Sequence, residues 1–319
     1  MSENGGQNGG QWERELLERL ATASLKEQRR SRAWGIFFKL LFFTYLSIII
    51  VLAVDWGGAA KEGERGIHTA VVQLDGLIGP GTDASAARIN ASLRAAFKDK
   101  TTKGVVLEIN SPGGSPVQAQ NIYDEIWRLR KKHPRIPIYA VVQDICASGG
   151  YYVASAADKI YVTRASIVGS VGVRMDSFGV TGLMKKLGVQ RRLLTAGKNK
   201  GLLDPFLPED PKQKAYVQGM LDQIHEQFIS DVRRGRGKRL KETPDMFSGL
   251  IWTGQQGVAL GLADGYGTLH SVARDVIKAD KIVDYTQKEN FAERFARRFG
   301  ASAASALAEF AVRDGPVLH

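Results

Sequence analysis

Two hydrophobic patterns divide the chain. Residues 34 to 54 are almost continuously apolar: from Leu40 to Val54 only Thr44, Tyr45 and Ser47 are polar, and none is charged. A run of this length predicts a helix about long enough to cross ~30 Å of hydrocarbon. From Thr69 onward the pattern breaks into short apolar runs separated by glycine-bearing loops and stretches of helical period. Thr69–Leu74, Gly104–Ile109, Ile136–Val142 and Lys159–Val162 predict buried strands. Ile167–Val173 predicts a loop and strand, and Gln190–Thr195 and Lys281–Tyr285 two further strands. Helices are predicted over Ala84–Phe97, Pro116–Lys132, Val153–Ala157, Leu183–Leu187 and Val272–Ala279. A long helix follows Pro208, with Tyr216, Met220, Ile224, Phe228 and Val232 at helical spacing, which reads as core packing. Strands alternating with helices through short loops predict an α/β domain with a parallel sheet and right-handed crossovers.

The expected organisation is a polar, helix-prone extension over 1–33, a transmembrane signal anchor over 34–54 and a linker over 55–66. The main domain follows over 67–286, then a helical tail over 287–319. Lys26, Arg29, Arg30, Arg32 and Lys39 flank the N-terminal side of the apolar run, and Asp55 follows its other side. The positive-inside rule then puts the N-terminus in the cytoplasm and the main domain outside it. A cleaved signal peptide fits less well, because Val51-Leu52-Ala53-Val54-Asp55 has no small-x-small site.

Charge and cysteine content narrow the chemistry. The net charge of +11 comes from basic residues spread along the chain or gathered beside the apolar run, a pattern that gives no reason to expect nucleic acid. The basic, glycine-broken run Arg233–Arg239 reads as a solvated turn. A single cysteine, Cys146, excludes an intrachain disulfide and any multi-cysteine zinc site, and it reads as a small buried hydrophobe. The five histidines are scattered without a metal-type pair, and Gly76–Gly81 lacks the Lys-Ser/Thr ending of a phosphate loop, so it reads as a turn. No metal and no cofactor are expected.

Three glycine-bearing loops fall at predicted strand ends: Ser111-Pro112-Gly113-Gly114, Ser148-Gly149-Gly150 and Gly169-Ser170-Val171-Gly172. In a parallel sheet those ends share one edge, where chemistry is commonly sited. Ser148, between a strand and a small-residue helix, is the candidate nucleophile. The N–H groups of Gly149 and Gly114 are candidates for an oxyanion hole. No histidine is expected near these loops, so the candidate base is a lysine, whose neutral form is favoured by an apolar pocket. Lys200 fits, followed by Gly201-Leu202-Leu203 and Pro205-Phe206, and Lys198 is the second candidate.

These residues, together with Ala157-Asp158-Lys159-Ile160 and Trp252-Thr253-Gly254 through Gly261-Leu262-Ala263-Asp264, resemble the bacterial serine–lysine signal peptide peptidases. The likeness is to their short, membrane-anchored form, the signal peptide peptidase A family. The resemblance covers about residues 67–280. It implies a Clp protease/crotonase-like layered fold, with Ser148 as nucleophile, Lys200 as general base and Ser170 orienting the lysine. It implies a homo-oligomeric ring or dome, and leaves open whether the dyad is completed within one chain or across neighbouring subunits. The implied task is endoproteolysis of remnant signal peptides at the outer face of the cytoplasmic membrane. Two other readings share the fold: acyl-CoA chemistry using the glycine N–H groups without a nucleophile, and a non-catalytic or quality-control membrane scaffold.

Overall fold

The computed structural model describes residues 29–30, 32, 34–48 and 66–287. The chain divides into two units, residues 1–60 and 61–319. In the first, residues 34–48 are helical with exposed side chains. Among the described residues no helix is long and apolar enough to cross a membrane. The rest of the expected anchor (49–54) lies outside the described residues, as do most of the N-terminal extension, the linker up to 65 and the tail from 288.

The second unit is α/β. Its strands are β1 (His68–Asp75), β2 (Thr102–Ser111), β3 (Ile138–Ala147), β4 (Lys159–Val162), β5 (Ile167–Gly169), β6 (Ile251–Thr253), β7 (Gly265–Tyr266) and β8 (Ile282–Asp284). The sheet runs β6-β5-β3-β2-β1-β8, with β4 on β3 and β7 on β4. Every pairing is parallel except β5 with β6. β3 pairs with β4 through Tyr139–Val141 and with β5 through Ile145–Ala147, so one strand serves two neighbours in succession.

Helix α1 (Ala86–Lys98) connects β1 to its parallel neighbour β2, and α2 (Pro116–Lys132) connects β2 to its parallel neighbour β3. Along β1, Ala70, Val72 and Leu74 enter the larger core with Ile89, Leu93, Ile122 and Ile126 of these helices. The alternate residue Val71 joins Val106, Val141, Val272 and Ile277 on the other face. Both faces are covered, which is why the strands read as continuous apolar runs.

Three expectations change. The strand expected to stop at Val142 continues to Ala147, because its second half has its own partner in β5. Gln190–Thr195 is not a strand: it has no partner and lies exposed, with Leu194 97% accessible. Gly76–Gly81 is more than a turn, since Ile78 bridges Gly114.

Two further helices matter for the site: α3 (Gly149–Ser155) and, after the short α4 (Thr181–Lys186), the 26-residue α5 (Pro211–Arg236). Asp210 caps α5, accepting from the Lys212 N–H at 2.8 Å. The five-residue stripe on α5 packs only over its C-terminal half: Phe228 and Val232 are buried and Ile224 half-buried, while Tyr216 and Met220 are exposed.

The run Arg233–Arg239, expected as a solvated turn, is instead the end of α5 followed by a short 3-10 turn, and Arg236 within it is buried in an ion pair that fixes the far end of the helix. Arg236 donates to Gly261 O from Nε at 3.0 Å and from a terminal nitrogen at 2.8 Å, and to Asp264 Oδ2 at 2.7 Å. Asp264 also accepts the Ile160 N–H at 2.7 Å. Burial alone would raise the Asp264 carboxyl, but the hydrogen bond and charge of Arg236 outweigh it and hold the group below the usual carboxylate range.

Candidate active site

β3 delivers Ser148 to the sheet edge in a strained conformation, φ 51° and ψ −121°, and α3 begins at the next residue. A positive φ is unfavourable for serine, and such strain persists only where surrounding structure enforces it. Here the Ser148 N–H donates to Gly169 O at 2.8 Å, and its carbonyl accepts the Tyr152 N–H at 2.9 Å. The Ser148 side chain makes no capping bond and lines a cavity of about 800 Å³. Its hydroxyl is thus held at a sharp strand-to-helix turn and left free to react.

The Ser111-Pro112-Gly113-Gly114 loop lies against this turn. Ser111 Oγ donates to Gly76 O at 2.6 Å and accepts the Gly113 N–H at 3.1 Å, fixing the loop's entry. Gly113, at φ 101°, is so close that a side-chain carbon there would lie 2.8 Å from Ser148 Cβ. Gly114, at φ 148°, faces Ile78, and a side-chain carbon would lie 2.0 Å from the Ile78 carbonyl oxygen. Only glycine fits at either position. Ile78 donates its N–H to Gly113 O and accepts the Ser115 N–H, both at 2.8 Å, so the intervening Gly114 N–H is turned the other way. Among the described residues, neither the Gly114 N–H nor the Gly149 N–H has a backbone acceptor. The two groups are neighbours: a side-chain carbon at Gly149 would lie 3.2 Å from the Gly114 nitrogen. Both glycines line the cavity with Ser148.

Ser170 lines the same cavity. It too has positive φ, 52°, and its N–H donates to Leu250 O at 2.7 Å. The structure therefore brings together Ser148, Gly149, Gly114 and Ser170. It does not bring Lys200 to them within this chain: Lys200 is exposed, on a turn where its N–H donates to Gly197 O at 3.0 Å. Lys198 is exposed as well. Both belong to a segment, residues 173–210, many of whose apolar side chains are exposed, with Phe178 81% and Leu187 68% accessible.

The remaining wall was not legible in the sequence. Ile224, Gln227 and Phe228 of α5 and Tyr152 of α3 complete it. Tyr152 stacks on Tyr123 with ring centres 5.1 Å apart, meets Phe228 edge-on at 4.8 Å and donates to the Asp231 carboxylate. Burial, followed by that carboxylate, pushes its phenol up, so it stays protonated. The expectation that no histidine approaches the loops is corrected. α5 crosses the sheet edge and brings His225 Nε2 within 3.0 Å of Val171 O. The helical stripe was visible, but nothing in a 54-residue separation signals that contact. Cys146 is fully buried, and desolvation pushes its thiol up, away from the reactive thiolate.

A second cavity, of about 780 Å³, lies at the opposite, N-terminal ends of β3 and β4, among Trp127, Arg130, His133, Tyr139 and Lys159. It offers no hydroxyl nucleophile beside free backbone N–H groups. The Ser148 cavity has both, and can support attack on a carbonyl with charge stabilised on its oxygen.

Comparison with known proteins agrees with this chemistry. Peptidase family S49 matches residues 130–283. A Synechocystis sp. protein named as a protease is 31% identical over 201 residues, 62% of this chain and 69% of that protein. An Enterococcus faecium protein named as a signal peptide peptidase SppA is 31% identical over 194 residues, 61% of this chain and 56% of that protein. A Brucella abortus (strain 2308) protein named Na(+)/H(+) antiporter NhaA is 44% identical over 209 residues, 64% of this chain but only 28% of that protein.

Proposed function

The chain belongs to peptidase family S49, a family of serine peptidases, and on that premise we propose that it is a membrane-tethered serine endopeptidase using a Ser148–Lys200 dyad. The observation that carries this reading is Ser148 itself, strained, with no side-chain cap and facing a cavity it shares with two unused glycine N–H groups.

In the proposed reaction, Ser148 Oγ attacks the scissile carbonyl carbon while its proton passes to the neutral Lys200 amine. The carbonyl oxygen becomes an oxyanion held by the Gly114 and Gly149 N–H groups. Collapse breaks the C–N bond, and the lysine returns the proton to the leaving amine. Water then attacks the acyl-serine, its proton taken by Lys200, and Ser148 is regenerated. Ser170 holds the lysine ammonium in line.

We read the sheet and its edge site as the Clp protease/crotonase type. We also propose that Lys200 acts in the cavity of a second copy. Two features support this: Lys200 is exposed and off its own cavity, and the segment carrying it exposes Met175, Phe178, Leu183, Leu187 and Leu194. An apolar surface of that kind marks an interaction site. A ring or dome of identical copies buries such a head-to-tail surface and repeats the site around the assembly.

The substrates we propose are remnant signal peptides at the outer face of the cytoplasmic membrane. Leu77, Pro116, Ala119, Ile224 and Phe228 on the cavity wall suit apolar segments. The antiporter name of the Brucella relative is not carried over, because the match covers only 28% of that protein. Full-length protein in detergent should cleave an apolar signal-peptide sequence well and a charged peptide of equal length at least about tenfold more slowly. Equal rates on the two would contradict the substrate assignment.

A further inference from the structure

We propose that His225 is a positioning residue for the catalytic site, holding the loop that carries Ser170 against α5; the inference rests on the peptidase reading above. Three successive residues after β5 are each tied to a different element. Gly169 O accepts the Ser148 N–H at 2.8 Å, and the Ser170 N–H donates to Leu250 O at 2.7 Å. Val171 O lies 3.0 Å from His225 Nε2. A carbonyl only accepts, so Nε2 carries the proton and donates. The first two bonds fix the strained peptide on its N-terminal side, and His225 fixes it on the other.

No second tie replaces this one. Among the described residues, from Val171 to Gly179 the bond from His225 is the only hydrogen bond or ion pair to the chain outside that segment. The Arg174–Asp176 pair, at 3.6 Å, lies within it. Beyond Val171 the chain leaves the body as the exposed segment that bears Lys200. His225 therefore sits where the rigid site ends and that segment begins. The helix that supplies it is clamped nearby, since Tyr123 donates from its hydroxyl to Asp231 O at 2.9 Å and Arg236 is locked to Asp264. Losing the donor frees the Val171 carbonyl and, with it, one side of the loop that carries Ser170 into the cavity lined by Ser148. A misplacement of that kind slows the chemical step far more than it weakens binding.

The test compares full-length wild type, Ser148→Ala, His225→Ala, His225→Phe and His225→Gln in detergent, with kcat, KM and the thermal midpoint on one apolar peptide. His225→Phe keeps the packing and removes the donor. His225→Gln restores an N–H that reaches the same carbonyl. Both donor-less variants should lose roughly 10- to 100-fold in kcat with KM within about threefold, and the glutamine should recover to within about fivefold of wild type. The thermal midpoint of His225→Phe should match wild type. Full kcat in His225→Phe, or a glutamine no better than the phenylalanine, overturns the inference while wild type is active and Ser148→Ala is not. A wild type that cleaves nothing, or a Ser148→Ala that cleaves normally, brings down the peptidase reading and this inference with it.

Discussion

Ser148→Ala should abolish peptide hydrolysis, by about 10⁴-fold or more, and Lys200→Ala by about 10²- to 10⁴-fold. Lys198→Ala should stay within about twofold of wild type, since it lies on the same exposed turn without the proposed role. The double variant Ser148→Ala/Lys200→Ala should be no worse than Ser148→Ala alone, because nucleophile and base act as one unit. Neither substitution should lower stability. The Ser148 side chain makes no capping bond, and the Lys200 side chain is exposed. Assayed on an apolar fluorogenic peptide, a Lys198→Ala loss equal to that of Lys200→Ala would reassign the base.

The second large effect is on stability. Asp264→Ala leaves the Arg236 guanidinium, fully buried, without its carboxylate, and Ile160 without the acceptor of its N–H. Removing one member of a buried pair costs about 3–5 kcal/mol, because the remaining charge is uncompensated. Arg236→Met removes the charge and keeps most of the volume, and it leaves Asp264 with only the Arg239 pair at 3.2 Å and the Ile160 N–H, so it should destabilise less than Asp264→Ala. Replacing both partners with apolar residues should recover the part of the loss due to the uncompensated charge, but not the part due to the Ile160 N–H and the Arg239 pair. The pH dependence follows from the lowered Asp264 carboxyl. Its native value lies below its unfolded one, so its stabilisation is complete above the unfolded carboxylate range and is lost as pH falls through the native value. Denaturant unfolding of wild type and Asp264→Ala at neutral and acid pH reads this directly. The gap should be wide at neutral pH and narrow in acid.

This clamp matters for activity because α5 forms one wall of the cavity with Ile224, Gln227 and Phe228. Arg236 anchors the end of that wall on the Gly261–Asp264 turn. The motif Gly261-Leu262-Ala263-Asp264 thus has a structural task, away from the reacting atoms.

Much of the fold was legible because parallel strands buried on both faces appear in the sequence as unbroken apolar runs. β1, β2 and β3 were found this way, and their glycine loops followed at the expected edge. Ser148, Gly149 and Gly114 were singled out because each lies in a small-residue loop at a strand end, and Ser170 through the family resemblance; all four line one cavity. What failed depended on partners that a local pattern does not contain. Gln190–Thr195 has apolar and branched residues suited to a strand but no neighbour to pair with. The α5 stripe looked uniform, yet only its C-terminal half meets the core. His225 looked isolated because its partner, Val171, is brought close only when α5 crosses the sheet edge. Among the described residues Lys200 is exposed and does not line the Ser148 cavity, in place of the apolar pocket expected around it.

The central claim is a serine–lysine dyad shared between copies, and mixing two inactive variants tests it most directly. Full-length Ser148→Ala and Lys200→Ala, co-expressed and purified as mixed assemblies, are assayed against each variant alone. If Lys200 serves a neighbour's Ser148, junctions joining an intact serine to an intact lysine form at random, and roughly a quarter of wild-type activity returns. If mixing restores nothing although the two variants co-assemble, the dyad is not shared between copies and the account is contradicted.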